Sequence, residues 1–398
     1  MQEKHANYST NKQKFIIVVT VFIDIVGLGI VAPTLPFYSE RFGASPLVTT
    51  LLFAVFSLCS FLSASVLGTL SDRYGRRPVL IASILGTSLG WFVFAFANSL
   101  PLLFLGRIID GMTAGNISTA QSYLVDISTT PKERTSNLGL IGASFGFGFI
   151  VGPALGSLLT LLGTNAPYIA AGILALLNGI AAVFFLPETN KTKNFEKISL
   201  NPFTPIIEGF SSKIFRPLMI SWLLFCFAFT SLQSIMTLYL NQQFNFDERQ
   251  SGLILVFFGI VGVINQAFIL RKVLLKKFSE DGLNFASHII LIISYIFLAM
   301  NYLWLFLIGI ILTSISQSVL RITNNSMIAG LAPDNMKGKI IGITQSISSL
   351  ASIFTPVIAG LLFEKNISWP WLMSSFFVFL SLMSILFQKH IKHGQSHT

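Results

Sequence analysis

Twelve predominantly apolar stretches follow one another along this 398-residue chain, at about 15–37, 47–69, 79–97, 101–123, 136–162, 167–186, 216–240, 250–271, 285–301, 303–329, 339–363 and 369–388. Each is long enough, at roughly 18 residues or more, to cross about 30 Å of hydrocarbon as a helix. Inside a bilayer the backbone must satisfy its own hydrogen bonds, which leaves only helices and closed barrels. A barrel would alternate polar and apolar residues over strands of about 10 residues, and that alternation is absent. The composition agrees: 53% of residues are hydrophobic and 11% charged, with a mean hydropathy of +0.73. The expected fold class is an all-α membrane protein of twelve transmembrane helices. The first run is too long for a signal-peptide core and carries Asp24 at its centre, so it reads as a retained span.

A net charge of +10 could indicate a nucleic-acid partner, but its distribution argues otherwise. If the loops alternate sides from the N-terminus, 21 Lys and Arg fall on one side and only Arg41, Arg249 and Lys365 on the other. That asymmetry is the positive-inside pattern and predicts that both termini are cytoplasmic. The lipid bilayer, not nucleic acid, is the expected macromolecular environment. The polar stretch 189–215 separates residues 15–188 from residues 216–388, with tails at 1–14 and 389–398. The halves repeat. "PKER" at 131–134 and "GPALG" at 152–156 correspond to "PDNMKG" at 333–338 and "TPVIAG" at 355–360. Two pseudo-symmetric six-helix bundles follow, an arrangement suited to carriers that rock one bundle against the other.

Between the second and third runs lies "GTLSDRYGRRPVL", residues 68–80, with four charges in six positions. It resembles the signature loop of the major facilitator superfamily. Under that resemblance Gly68 admits a neighbouring helix and Asp72 bonds backbone amides or pairs with arginines. Gly75 turns the chain, and Arg73, Arg76 and Arg77 complete a cytoplasmic latch with Asp126 as acidic partner. The corresponding second-half loop keeps Arg271, Lys272, Lys276 and Lys277 without the Gly–Asp frame. "DIVGLGIVAPTLP" (24–36), "LGRIIDGMTAG" (105–115) and "GASFGFGFIVGPALGS" (142–157) are similar to the first-, fourth- and fifth-helix motifs of twelve-helix drug:proton antiporters; the last of these and the "SDRYGRRPVL" loop most resemble the tetracycline exporters. The match is strong in the N-terminal half and general in the C-terminal half. It implies a monomer energised by a proton gradient, with no cofactor. Two departures stand against tetracycline itself. The acid that those exporters carry in the third helix aligns with Gly90, and the ninth run offers only His288 and Tyr295 as titratable side chains.

Ionisable residues within membrane spans are costly and read as functional by default. They are Asp24, Arg107, Asp110 and Arg321. Arg107 and Asp110, three apart on a helix, share a face; Ala114, Ser118 and Gln121 continue that stripe, and Asn116 points away. The pair is either a fixed ion pair or one that Asp110 leaves when it takes a proton. Asp24 has no basic residue on its own helix. Burial disfavours a bare carboxylate, so Asp24 is the first choice of proton carrier; the alternative is a carboxylate bonded at a helix break near Gly27 and Gly29. Ser314, Gln317, Arg321, Asn324 and Asn325 fall within about 100° of one another and are expected to line a substrate cavity. Gln121 and Gln233 are candidates for the same lining, with Asn265, Gln266 and Gln345 as weaker ones. Gly148, Gly152 and Gly156, with Pro153, form a small-residue face that serves packing or a bending hinge.

Other chemistry is excluded. "GLGIVA" at 27–32 matches a dinucleotide fingerprint but lies inside a membrane run, without the strand–turn–helix context. No Walker sequence, G-x-S-x-G elbow or His-Glu-x-x-His motif occurs. No catalytic or metal site is expected, His390, His393 and His397 lacking any ligand spacing, and Cys59 and Cys226 read as buried thiols. The sequence therefore predicts a secondary transporter and not an enzyme: a proton-coupled efflux antiporter of a small amphipathic or drug-like compound in a bacterial inner membrane. A carrier of an anionic metabolite, such as an organic acid or iron chelator, is the alternative that Arg321 favours.

Overall fold

A computed structural model of the protein describes residues 2–190, 202–212, 215–331 and 337–395. Pro333 and its neighbours in the second-half repeat, residues 191–201 and 213–214 of the inter-half stretch, and His397 lie outside the described residues. Among the described residues the chain is helical almost throughout and has no strand. The first half contributes α1 (Gln2–Glu40), α2 (Pro46–Tyr74), α3 (Arg76–Ala95), α4 (Leu100–Thr113), α5 (Asn116–Asp126), α6 (Pro131–Leu159) and α7 (Ala166–Phe185). After the short α8 (Thr204–Ser211) come α9 (Arg216–Phe244) and α10 (Glu248–Ile264). A π-helical stretch (Asn265–Leu274) then runs into α11 (Leu275–Lys277). The chain ends with α12 (Glu280–Ala299), α13 (Leu303–Gly330), α14 (Lys337–Lys365) and α15 (Trp369–Gln395).

Eleven helices among the described residues are long and apolar enough to cross a membrane. The run expected as a single helix over 101–123 is instead two pieces, α4 and α5. They part at Ala114 (ψ 24°) and Gly115 (ψ 2°), both well away from helical ψ. At this break α4 and α5 press on α2: a Cβ built on Gly115 would run into Leu67 Cδ1, and one on Gly111 would lie 2.7 Å from Phe56 O.

Two compact units emerge. The first comprises residues 1–44, 55–201 and 247–256, and the second residues 45–54, 202–246 and 257–398. Each unit thus takes in one helix end from the other sequence half.

In the first unit α1 packs along α6 through glycines. A Cβ on Gly152 would sit 2.6 Å from Gly29 Cα, one on Gly148 2.5 Å from Ile25 Cγ2, and one on Gly156 3.0 Å from Ile30 O. The two backbones touch with no side chain between them, the geometry that small residues every fourth position permit. In the second unit the equivalent places on α14 hold Ala351, Thr355 and Ala359, all fully buried.

Aromatic clusters mark both units at matching positions. Tyr38, Phe94 and Tyr168 pack with ring centroids 4.8–5.6 Å apart, and Tyr168 donates to Thr34 Oγ1 at 2.8 Å. Tyr239, Tyr295 and Trp371 form the second cluster, with Trp371 at 5.3 Å from Tyr239 and 6.4 Å from Tyr295. Tyr239 donates to Leu298 O and Tyr295 to Ala228 O, at 2.8 and 2.9 Å. Each phenol carries its own acceptor, so the rings stay buried without an orphaned hydroxyl.

Candidate functional site

Inside the first unit, the broken fourth span closes one side of a cavity of about 100 Å³. Asp24 and Leu28 of α1, Phe56 and Ser60 of α2, and Thr87 and Trp91 of α3 line it, with Asp110 of α4, Ala114 at the break, and Asn116 and Ile117 of α5. Two carboxylates from different helices therefore face one small space. Asp110 is 5% exposed and Arg107 2%; Arg107 Nη1 lies 3.4 Å from Asp110 Oδ2, a long contact for an ion pair. The remaining guanidinium nitrogens, Nε and Nη2, have no hydrogen-bond partner among the described residues. Arg107 instead lies against the rings of Phe94, Trp91 and Phe56, at 4.9, 5.2 and 5.6 Å from their centroids, where the ring quadrupoles attract a cation.

The helical count placed Asn116 on the far side from this stripe. The structure corrects that: Asn116, 1% exposed, lies in the cavity wall against Asp24. The break at Ala114–Gly115 is the reason, because residues with ψ near zero interrupt the 100° count. Gln121, expected on the same stripe, is exposed and outside the cavity lining. Gly90 explains the missing third-helix acid. A Cβ there would lie 2.8 Å from Asp110 N and 3.0 Å from its Cα, so α3 has no room for a side chain where α4 supplies the carboxylate.

The charged stretch 72–77 is a helix end and a turn. α2 runs through Asp72 and Arg73 to Tyr74, Gly75 turns the chain with φ 115°, and α3 starts at Arg76. Arg76 is the hub. Its Nη1 meets Asp72 Oδ1 at 2.5 Å, its Nε meets Asp126 Oδ2 at 3.2 Å, and Nη1 also donates to Ser71 Oγ at 2.6 Å. Three expectations change. The amides at the start of α3 are bonded by Glu188, not Asp72: Arg76 N and Arg77 N donate to its Oε1 and Oε2 at 2.8 and 3.1 Å. A distant carboxylate thus satisfies the orphan donors and the positive end of α3. The Arg77 guanidinium pairs with no acid among the described residues; its Nη2 donates to Val183 O at 2.6 Å, near the C-terminal end of α7. A Cβ on Gly68 would meet nothing within 4 Å, so that glycine admits no close neighbour here. Arg73 lies over the Tyr74 ring at 5.8 Å. Glu188 escaped the sequence reading because it sits 112 residues beyond the amide it bonds, in "LPET", which reads locally as the exit from a span.

In the second unit the polar stripe of α13 divides. Ser314 Oγ donates to Phe258 O at 2.7 Å, and Gln317 Nε2 to Tyr295 OH at 2.9 Å. Asn324 Oδ1 accepts from Asn284 Nδ2 at 2.7 Å. These three are engaged within the unit; Arg321 and Asn325 are exposed and Gln233 is half-buried. An arc of 100° is wide enough to meet two environments, and α12 and α10 claim one side of it. His288, fully buried, joins the same interior: Nδ1 lies 2.8 Å from Asn284 O and Nε2 3.0 Å from Ser381 Oγ. Ser381 in turn donates to Ser221 O at 3.0 Å. Asn265 donates to Ser318 Oγ at 2.6 Å, while Gln266 and Gln345 are exposed.

Comparison with known proteins gives the family. The family model of the Major Facilitator Superfamily matches residues 17–300 and 284–395. The class C tetracycline resistance protein of Escherichia coli is 29% identical over 90% of this chain and 91% of its own length. The quinolone resistance protein NorA of Staphylococcus aureus (strain MRSA252) is 26% identical, with 95% of this chain and 97% of that protein covered. Multidrug resistance protein 2 of Bacillus subtilis is 24% identical over 94% and 95% of the two chains. Among solved structures, a point mutant of the nucleoside transporter NupG superposes with a TM-score of 0.78 at 12% identity, covering 94% of this chain and 99% of that one. The human organic anion transporter MFSD10 (TETRAN) gives 0.72 at 22% identity with the same coverage. With the helical fold and a membrane-type span series behind the match, this chain belongs to the Major Facilitator Superfamily and is a multi-pass membrane transporter, not an enzyme.

Proposed function

We propose that this transporter is a proton-coupled efflux antiporter of small amphipathic, drug-like compounds, working by alternating access in a bacterial plasma membrane with both termini in the cytoplasm. One observation carries the coupling: Asp24 and Asp110 share a cavity beside which Arg107 is the one cation among the described residues. With both acids ionised the cluster holds one uncompensated negative charge, which a low-dielectric interior does not tolerate. Asp110 has Arg107 as counter-ion; Asp24 has none, so the proton belongs on Asp24. Release of that proton toward one face and reloading from the other would link transport to the gradient. The cavity, at about 100 Å³, is well below the roughly 300–1,000 Å³ of drug sites, so it suits the proton and not the drug. Relatives named for resistance to tetracycline, quinolones and multiple drugs support export of such compounds.

The latch role of Arg76 with Asp72 and Asp126 belongs to the same proposal: an ion-pair frame that holds in one state and parts in the other is a bistable element. A second reading, transport of an anionic metabolite, has Arg321 in its favour. This arginine is exposed, and no carboxylate of the described residues pairs with it.

Proteoliposomes with an imposed pH gradient test both. Uptake of a cationic dye, a quinolone or a tetracycline that collapses in Asp24→Asn supports drug:proton antiport. Gradient-driven uptake confined to organic anions and lost in Arg321→Ala supports the second reading. Full drug accumulation by Asp24→Asn would overturn the proton assignment.

A further inference from the structure

We infer that the far end of the α10 span is a binding site for an anionic glycerophospholipid, with Lys272, Lys276 and Lys277 holding the headgroup and an acyl chain lying along the apolar face below them. Length puts these lysines at the right depth. α10, the π-helical stretch and α11 make one continuous span, Glu248–Lys277, of 30 residues. At about 1.5 Å per residue it covers about 45 Å, the thickness of a bilayer with both headgroup layers. Its last residues, from Lys272 on, therefore stand at the level of the lipid phosphates. On the topology proposed above, that is the cytoplasmic leaflet.

Charge selects an anion. Between Arg249 and Glu280 the sequence carries Arg271, Lys272, Lys276 and Lys277 and no acid. The three lysines are exposed, and none forms an ion pair among the described residues. The next acids, Glu280 and Asp281, open α12, where Glu280 Oε2 accepts from Ser326 Oγ at 3.0 Å. The first-half loop is the contrast: there Asp72 and Asp126 neutralise Arg76. The second-half copy keeps the cations without those acids, and a basic cluster of this size beside a membrane helix attracts acidic lipid.

The surface next to the lysines makes that anion amphipathic. Only 11% of the most apolar stretch of this span is buried, the smallest share among the membrane-length helices of the described residues. Leu270 anchors it against Leu283 of α12 and Val319 of α13, while Phe268, Ile269 and Val273 stay exposed. The π-helical bonding, i to i+5, widens the turn, so residues four and five apart come round to one side. Lys272 Nζ accordingly lies over the Phe268 ring, 5.2 Å from its centroid, and Lys276 and Lys277 follow Lys272 by four and five positions. A soluble anion would use the lysines alone; the exposed phenyl and aliphatic groups beside them fit an acyl chain.

Native mass spectrometry of the full-length protein in neutral detergent tests the site, with dioleoylphosphatidylglycerol, dioleoylphosphatidylcholine and inorganic phosphate as probes. Wild type should retain phosphatidylglycerol in preference to phosphatidylcholine. Lys272→Gln combined with Lys276→Gln should weaken phosphatidylglycerol binding by roughly thirtyfold and leave phosphatidylcholine adducts unchanged. Arg134→Gln combined with Lys365→Gln, which removes the same charge from exposed positions elsewhere, should bind as wild type does. Phe268→Ala, which keeps every charge, should give a smaller loss. Equal retention of the two lipids by wild type overturns the site, as does an equal loss of phosphatidylglycerol in the two double variants. Displacement of the lipid by equimolar phosphate would show a soluble-anion site and overturn the lipid assignment. Neither drug nor gradient enters the measurement, so its outcome is separate from that of the antiport reading.

Discussion

The two units share an aromatic scaffold and differ in where they bury charge. Tyr38, Phe94 and Tyr168 in the first are answered by Tyr239, Tyr295 and Trp371 in the second, at offsets of 201 to 203 residues in sequence. Around the first scaffold sit Asp24, Arg107 and Asp110. Around the second the buried polar groups are neutral or hydrogen-bonded: Gln317, Asn284, Asn324, Ser381 and the His288 imidazole. The single intramembrane charge expected there, Arg321, is exposed. Helix packing differs in the same sense. Glycines at 148, 152 and 156 bring α6 onto the α1 backbone beside Asp24, while Ala351, Thr355 and Ala359 keep side chains between α14 and its neighbours. A duplicated fold can thus bury charge in one copy and leave the other a neutral hydrogen-bonded support.

Substitutions can break this contrast, and the largest effect belongs to the ion pair. Asp110→Asn strands Arg107 among three rings and should cost about 3–5 kcal/mol in detergent unfolding. Arg107→Gln combined with Asp110→Asn should recover most of it; an additive double mutant would mean that the pair does not interact. Gly152→Ala comes next, at about 1–3 kcal/mol from overpacking against Gly29. The same change at Gly142, where an added Cβ meets nothing within 4 Å, should stabilise by about 0.5–1 kcal/mol. Equal thermal shifts at the two sites would refute the close-packed face. His288→Gln should lower stability by about 1–3 kcal/mol through the lost Ser381 bond while leaving the pH response of transport unchanged. A displaced pH profile in that variant would put proton chemistry in the second unit as well.

The smallest effect lies at the start of α6. There Lys14 Nζ approaches Glu133 Oε1 at 2.5 Å, and Thr129 donates through N and Oγ1 at 2.9 and 2.8 Å. The Lys14 bond first, then those from Thr129, pull the Glu133 carboxyl down to about 2. A depressed carboxyl adds stability above its ordinary value of 4.5 and loses it as pH falls toward 2. Glu133→Gln should therefore lower the Tm slightly at pH 7 and progressively less below pH 4.5. A deficit that grows on acidification would reverse the sign and refute the pairing.

Much of this was legible in the residues, and the failures have physical causes. Long apolar runs announce membrane helices because lipid leaves the backbone no other partner. Arg107 and Asp110 showed their pairing through a three-residue spacing that a helix turns into one face. Asn116 was misplaced because the 100° count assumes unbroken helix and cannot see ψ near zero at Ala114 and Gly115. Glu188 was missed because its partners are far away in sequence, and no local pattern encodes a carboxylate brought to another helix's first turn. The α13 stripe divided because periodicity gives a direction, whereas α10 and α12 decide what occupies it.

Proton release on substrate addition tests the central claim most directly. A transported compound is added to weakly buffered, detergent-solubilised protein and the pH is followed with a soluble indicator. Wild type, His288→Gln and Arg321→Gln variants that still bind should all acidify the medium, and Asp24→Asn should bind without releasing a proton. Undiminished release from Asp24→Asn, or its loss in His288→Gln alone, would contradict the assignment of coupling to the first unit.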